Sequence, residues 1–276
     1  MDKPAGLTSH DVVHRIRRVL GTRAVGHTGT LDPFATGLLV VLVGRATRLA
    51  RFVEAHAKRY HATAHLGWAT DTDDLTGAPL GAPASLDGLT EAGVRSALSA
   101  FTGPQRQRPP RYSAKHVDGE RSYRLARRGR AVDPAPVDIV VHDAVLLRFA
   151  PPEIEFRATV SAGTYVRALA RDLGERLGTG AHLTGLRREA VGPLSVDQAV
   201  PLDQVTPAAV LPPSAVLAHL PAVELAEAER VAVSHGRAIP ASGPSGDVAL
   251  VHAGELVAVA RAQDGWLRPA VVLGTP

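Results

Sequence analysis

The chain has 276 residues and a net charge of +4, and 45% of its residues are hydrophobic, which suits one sizeable folded domain with an appendage or two modest domains. No cysteine is present, so disulfides, thiolate catalysis and cysteine-ligated metal centres are excluded, and a cytoplasmic address is expected. No apolar run reaches the ~18 residues of a membrane span, and the opening MDKPAGLTSHDVV has neither the basic nor the apolar region of a signal peptide.

In chain order, the periodicity predicts a helix over residues 8–20. Thr8 and Asp11 form its capping box, Val12, Val13, Ile16, Val19 and Leu20 its apolar stripe, and Gly21 its stop. LLVVLV at 38–43 reads as a buried strand between Gly37 and Gly44, and 46–56 as a short helix. YHATAHLG alternates, with Tyr60, Ala62, Ala64 and Leu66 on one face of a strand. Residues 77–88 read as a loop, and 90–101 as a helix with Val94, Leu98 and Phe101 inward. VDIVVHDAVLLRF and EIEFRATVSAG read as neighbouring strands, and TYVRALARDLGERLG as a helix. A proline-punctuated connection follows over 201–221, then short alternating runs to the end. Strands and helices mix without strict alternation. The expected class is α/β of the α+β type, with a mixed, largely antiparallel sheet, flanking helices and a small C-terminal β appendage.

The charge is uneven. Between Gln105 and Arg130 lie Arg106, Arg108, Arg111, Lys115, Arg121, Arg124, Arg127, Arg128 and Arg130, opposed within the segment by Asp118 and Glu120. From Pro221 onward, Arg230, Arg237, Arg261 and Arg268 are outnumbered by Glu224, Glu227, Glu229, Asp247, Glu255 and Asp264. A local run of like charge suggests a polyanionic partner such as a phosphate backbone, and a solvated surface loop is the plain alternative.

GHTGTLDPFATGLL, residues 26–39, surrounds a single carboxylate with glycines. Pro33 pushes Asp32 into an extended conformation, and Gly26, Gly29 and Gly37 allow sharp turns or close approach. By itself the stretch fits either an ordinary Asp-Pro turn or a site. No phosphate-cradling GxxxxGK[ST] or GxGxxG, no GxSxG and no HExxH occurs. DTDDLTG at 71–77 lacks the ligands of a calcium loop, and the twelve histidines show no metal-ligand spacing.

Seven motifs in order carry a resemblance: DKPAGLTSHDVV, GHTGTLDPFATGLL, KRY at 58–60, LGWATDTDDLTG, RYSAKHVDGERSYRLARRG, GTYVRALARDLGERLG and HLTGLRR. From Asp2 to about Ala199 the chain resembles the bacterial tRNA pseudouridine-55 synthases, the TruB family. The resemblance implies a pseudouridine-synthase fold and an isomerisation of the T-loop uridine of tRNA without cofactor or metal. It implies a catalytic domain over 1–220, with a thumb-like insertion near 105–132, and a PUA-like RNA-binding domain over 221–276. The target base must be flipped from its stack to be reached. Asp32 matches the family's catalytic carboxylate, and Arg167 the arginine that pairs with it. Tyr60 matches the tyrosine stacking on the target base. Tyr165 and Leu186 match pocket walls, and His27 matches the histidine that contacts the flipped region. Lys3 and Pro4 match a motif supporting the active-site loop. The expected partner is the tRNA T stem-loop, with no membrane and no small-molecule cofactor, and the protein is expected to be a monomer. The strand that the family places before DKPxG is expected to be missing. Two rival readings remain. One is an RNA-binding or tRNA-folding module acting without catalysis. The other is a glycosidase or epimerase drawing a second carboxylate from Asp71, Asp73 or Asp74.

Overall fold

The computed structural model describes residues 1–112, 116–117, 120–121, 134–241 and 245–274. The strands up to the basic segment are β1 (Asp2–Lys3), β2 (Val25–Thr28), β3 (Thr36–Leu38), β4 (Val40–Val43), β5 (Lys58–Leu66), β6 (Ala69–Thr70), β7 (Pro79–Leu80) and β8 (Gly103–Gln107). Then come β9 (His116–Val117), β10 (Glu120–Arg121), β11 (Val137–Ala150), β12 (Glu153–Val160), β13 (Ala181–Val191) and β14 (Leu194–Ser195). The last are β15 (Ala222–Glu224), β16 (Ile239–Pro240), β17 (Gly246–His252), β18 (Glu255–Gln263) and β19 (Trp266–Val272). The α-helices are α1 (Ser9–Val19), α2 (Ala50–Glu54), α3 (Glu91–Ser99), α4 (Val166–Leu177) and α5 (Glu227–Ser234).

Two compact units emerge. One holds Met1–Asp32, Leu39–Ala55 and Gly192–Pro276, and the other Pro33–Leu38 and His56–Val191. In the second unit the strands run β3-β13-β5-β12-β11-β8. All neighbours are antiparallel except β3 with β13. The alternation expected for β5 holds: Tyr60, Ala62, Ala64 and Leu66 are buried. Their partners on β12, Ala158, Phe156 and Ile154, are buried on the same face. Helix α3 packs against β11, and α4 against β13 and β5. The opposite face carries charge ladders, in which Glu189 bonds Arg59 and Arg157, and Glu155 bonds Arg148 and His61.

In the first unit, α1 has the capping box read from Thr8 and Asp11. Val12, Val13 and Ile16 are buried, while Val19 is exposed because it follows the last inward turn. Met1 donates its amino group to the Leu39 carbonyl, and Asp2 donates its amide to the Val200 carbonyl. The first residues therefore form a short bonded strand. The C-terminal sheet has the order β15-β17-β18-β19-β16. One face is closed by α5 side chains around Val248, Leu250 and Leu267. On another side, Leu49 and Phe52 pack with Val259, Val271 and Leu273. Arg45 and Arg48 donate to the carbonyls of Leu273 and Val272, so the 44–54 segment is bonded to the last strand.

Two local expectations are corrected. Residues 38–43 are not one strand: β3 ends at Leu38 and β4 begins at Val40, and the two pair with different partners, β13 and β2. Residues 44–49 form a 3-10 helix before the short α2, because the chain turns directly out of β4 at Gly44, whose φ is +62°.

Candidate active site

Asp32 sits on a loop whose flanks are pinned. The hydroxyl of Ser9, the first residue of α1, donates to the Leu31 carbonyl at 3.2 Å and accepts from the Leu31 amide at 2.9 Å. Leu31 itself is buried. On the other flank, Thr36 and Gly37 pair with Arg187 and Arg188 of β13. Gly37 has φ +98°, and a Cβ there would collide with the backbone oxygen and nitrogen of Arg188. Arg188 is fully buried and donates Nε to the Leu38 carbonyl at 2.7 Å. The glycine expected to allow close approach does so toward the protein's own strand. Gly26 needs no such freedom: its φ is not positive, and a Cβ would meet nothing nearer than 4.0 Å. His27 lies in β2 opposite Val41 and is half-buried. Lys3 is buried and donates to the carbonyls of Pro4 and Leu7, which ties its motif to itself.

In the second unit the register brings Tyr60 and Leu186 onto neighbouring same-face rungs of β5 and β13. Leu186 pairs with Ala62, and Arg188 with Tyr60. Cross-strand partners share a face, so Tyr60, Leu186 and Arg188 lie together on the helix-covered side. Leu186 is half-buried where its neighbours Ala62 and Arg188 are buried, so this part of the face remains open. Tyr165 is the N-cap of α4, and Arg167 is in its first turn.

Arg167 is 5% exposed and makes a three-way junction. Nη1 donates to the Thr72 carbonyl at 2.9 Å and to Asp74 Oδ2 at 3.2 Å, while Nη2 donates to the Tyr112 carbonyl at 2.9 Å. One helical turn on, Arg171 donates to Asp73 Oδ2 at 3.0 Å, to Asp172 Oδ1 and to the Arg108 carbonyl at 2.9 Å. The buried amide of Gln107 completes the set, accepting from the Tyr165 amide at 2.9 Å and donating to the Tyr165 carbonyl at 3.1 Å. Helix α4 thus holds both the 70–77 loop and the root of the basic segment.

Gln107, Arg171 and Arg188 are not singled out by sequence reasoning, which offers Asp74 only as a rival catalytic carboxylate, whereas here Asp74 is the buried partner of Arg167. The i, i+4 spacing of Arg167 and Arg171 is the one local signal that could have pointed to Arg171. Burial raises the Asp73 carboxyl to about 6, against the pull of Arg171 and Arg167, and burial also raises Asp172. A cleft of about 530 Å³ in this unit is lined by Asp71, Asp73, Asp172 and Glu175 together with Arg106, Arg108, Arg111 and Arg171. Arg106, Arg108 and Arg111 of the basic segment therefore share a cleft with carboxylates from distant positions in the chain. Arg106, Arg108 and Arg111 are exposed. Arg121 lies in β10, and Lys115, Arg124, Arg127 and Arg128 lie outside the described residues. Among the described residues no cluster of His, Asp and Glu could hold a metal ion.

Solved structures share this architecture. A chain of a Cbf5–Nop10–Gar1 complex superposes with a TM-score of 0.75 at 28% identity, covering 99% of this chain and 82% of that one. A chain of an H/ACA RNP bound to a substrate RNA containing 2′-deoxyuridine gives a TM-score of 0.73 at 26% identity, covering 99% and 82%. The fold is that of the pseudouridine synthases.

The sequence narrows this further. Residues 17–166 match the N-terminal domain of the TruB family pseudouridylate synthases, and residues 167–217 match the tRNA pseudouridylate synthase B C-terminal domain. A tRNA pseudouridine synthase B of Thermobifida fusca is 45% identical over 99% of this chain and 96% of its own length. Another from Gloeobacter violaceus is 44% identical over 100% and 98%. The chain belongs to the TruB family of pseudouridylate synthases, and it is an isomerase.

Proposed function

We propose that this enzyme converts the T-loop uridine 55 of tRNA to pseudouridine, with Asp32 as the catalytic carboxylate. The naming of its relatives as tRNA pseudouridine synthases supports tRNA as substrate. The N1–C1′ bond of the uridine breaks, the freed uracil turns, and a C5–C1′ bond forms. The C5 proton leaves and N1 gains one, so the product is an isomer and nothing else is consumed. Asp32 acts ionised, either as nucleophile at C1′ or C6 or as base at C2′.

The observation that carries this reading is the pinning of both flanks of Asp32, by Ser9 on Leu31 and by β13 on Thr36 and Gly37. A carboxylate so held loses little freedom on meeting its substrate. In this reading the target base is flipped, stacks on Tyr60, and is walled by Tyr165 and Leu186. His27 contacts the flipped region, and Arg167 supports the ionised Asp32. Arg106, Arg108, Arg111, Lys115, Arg121, Arg124, Arg127 and Arg128 form the thumb that meets the stem-loop phosphates. Catalytic domain 1–220 works with a PUA-like domain 221–276, as a monomer in the cytoplasm.

The test is incubation with an unmodified tRNA transcript and mapping of pseudouridine by position. Product is expected at uridine 55. Asp32→Asn is expected to lower turnover by about a thousandfold or more while tRNA affinity changes by less than about threefold. Near-wild-type turnover in that variant would sink the assignment.

A further inference from the structure

The chain leaves the main sheet for the basic segment at a single rung. β8 and β11 run antiparallel and their end pair is Gln107 with Val137, so residues 108–136 lie beyond it. Gln107 is 2% exposed. A buried primary amide costs free energy unless its oxygen and its N–H groups are bonded. Gln107 meets that need on the backbone of one residue of another element. Its Oε1 accepts from the Tyr165 amide at 2.9 Å, and its Nε2 donates to the Tyr165 carbonyl at 3.1 Å. A leucine or methionine would fill the same space, so the amide is required by this backbone rather than by packing.

The place of that clasp matters. Tyr165 is the N-cap of α4, with an extended backbone at φ −104° and ψ 111°. Its carbonyl also accepts the first intrahelical bond, from the Leu169 amide at 3.2 Å. The amide and the carbonyl of one residue belong to the two rigid peptide planes on either side of its Cα. Holding both planes fixes the direction in which the side chain leaves the backbone. Gln107 therefore aims the half-buried Tyr165 ring through the backbone.

The other end of the clasp is stiff. Pro109 and Pro110, just past Gln107, are buried and have a locked φ, and Pro109 holds Arg108 extended. Helix α4 grips the same root in return. Arg171 Nη2 donates to the Arg108 carbonyl and Arg167 Nη2 to the Tyr112 carbonyl, each at 2.9 Å. The arginines run from the helix to the root, and Gln107 runs from the root to the start of the helix.

We infer that Gln107 is a positioning residue for the isomerisation, setting the Tyr165 wall of the pocket from the root of the basic segment while touching neither the uridine nor the phosphates. The inference rests on the proposed reaction and on Tyr165 as a pocket wall.

The test measures tRNA affinity and single-turnover pseudouridine formation separately, for wild type, Gln107→Leu and Gln107→Glu. Gln107→Leu is expected to lower the single-turnover rate by about thirtyfold while affinity changes by less than about threefold. Gln107→Glu adds a signature that mere packing would not give. Protonated, its carboxyl reproduces the clasp, with the O–H donating to the Tyr165 carbonyl and the other oxygen accepting from the amide. Ionised, it repels that carbonyl, and burial disfavours the charged form. The rate of Gln107→Glu relative to wild type at the same pH is expected to rise by about tenfold from about pH 8 to about pH 5.5, while the Gln107→Leu ratio stays flat. Titrations shared by both proteins, those of Asp32 and Asp73 included, cancel in these ratios.

An affinity loss in Gln107→Leu as large as its rate loss overturns the inference, since an RNA contact or a general loosening would produce it. An unchanged rate overturns it too. A Gln107→Glu ratio that does not vary with pH also overturns it, and that arm decides should Gln107→Leu fail to fold. Failure of the proposed function has a different signature: wild type forms no pseudouridine at uridine 55. Amide exchange needs no product. In the protein without RNA, residues 165–169 are expected to exchange about tenfold faster in either variant at neutral pH than in wild type, and equal exchange overturns the inference.

Discussion

Two loops of this protein present aspartates, and they are held by opposite means. Residues 26–37 are fixed at their flanks by neutral contacts: the β2–β4 ladder, the Ser9 hydroxyl on Leu31 and the backbone of Gly37 against Arg188. Residues 70–77 are fixed through the carboxylates themselves. Asp74 accepts from the Thr72 hydroxyl at 2.8 Å, from the Thr76 amide at 2.9 Å and from Arg167, while Asp73 takes Arg171. Asp71 caps the Ala78 amide at 2.8 Å. The two loops differ in what fixes their backbones: strand, hydroxyl and backbone contacts on either side of Asp32, and the carboxylates of Asp71, Asp73 and Asp74 in the other.

The sharpest way to break the comparison is Arg167→Ala. It leaves Asp74 buried without its cation and also frees the Thr72 and Tyr112 carbonyls, so a loss of about 3–5 kcal/mol is expected in denaturant unfolding. Adding Asp74→Ala should recover part of that loss, because the unpaired charge is then gone. A cost below about 1 kcal/mol for the single variant would mean that charge does not hold this loop.

The neutral counterpart is Gly37→Ala. A left-handed φ and a collision with Arg188 backbone are both imposed, for a loss of about 2–3 kcal/mol. Turnover should fall with it, since β3 leads directly back to Pro33 and Asp32. Wild-type stability in this variant would show that the loop tolerates separation from β13.

Much of this arrangement is legible in the sequence, for stated reasons. The alternation of β5 announced the burial of Tyr60, and the Thr8–Asp11 box announced the start of α1, because both are local patterns. The order of seven motifs announced the family. What was not legible depends on long-range registry. Gln107 reads as one polar residue in a basic stretch, and only folding brings it to the Tyr165 backbone, 58 residues away. Asp73 and Asp74 read as a failed calcium loop, because their partners lie 98 and 93 residues on. The basic segment reads as opposed only by Asp118 and Glu120, because Asp172 and Glu175 arrive from a helix far along the chain. The break at Leu39 was invisible because both halves of LLVVLV are equally apolar.

The finest distinction lies inside the 70–77 loop, between its two adjacent aspartates. Burial lifts Asp73 from 3.8 to about 6 despite its arginine. In the unfolded chain this group ionises near its ordinary value. Between about pH 4 and pH 6 the folded state therefore holds a proton that the unfolded state has released. Stability must fall as the pH rises through that window, by at most roughly 3 kcal/mol. Asp172, also raised by burial, acts in the same direction. Asp11, Glu155 and Glu227 are lowered by hydrogen bonds and act oppositely, at lower pH. Asp73→Asn imitates the protonated group and leaves Arg171 with Asp172. It is expected to match wild type near pH 4 and to exceed it by about 1–3 kcal/mol at pH 7, with a flatter profile between. Parallel stability profiles for wild type and variant across pH 4 to 7 would show that the Arg171 contact offsets the burial of Asp73 in full. In that case both carboxylates would be net anchors. The expected divergence instead makes Asp74 the anchor and Asp73 a strained partner, kept ionised at neutral pH by the arginine that also holds the root of the basic segment.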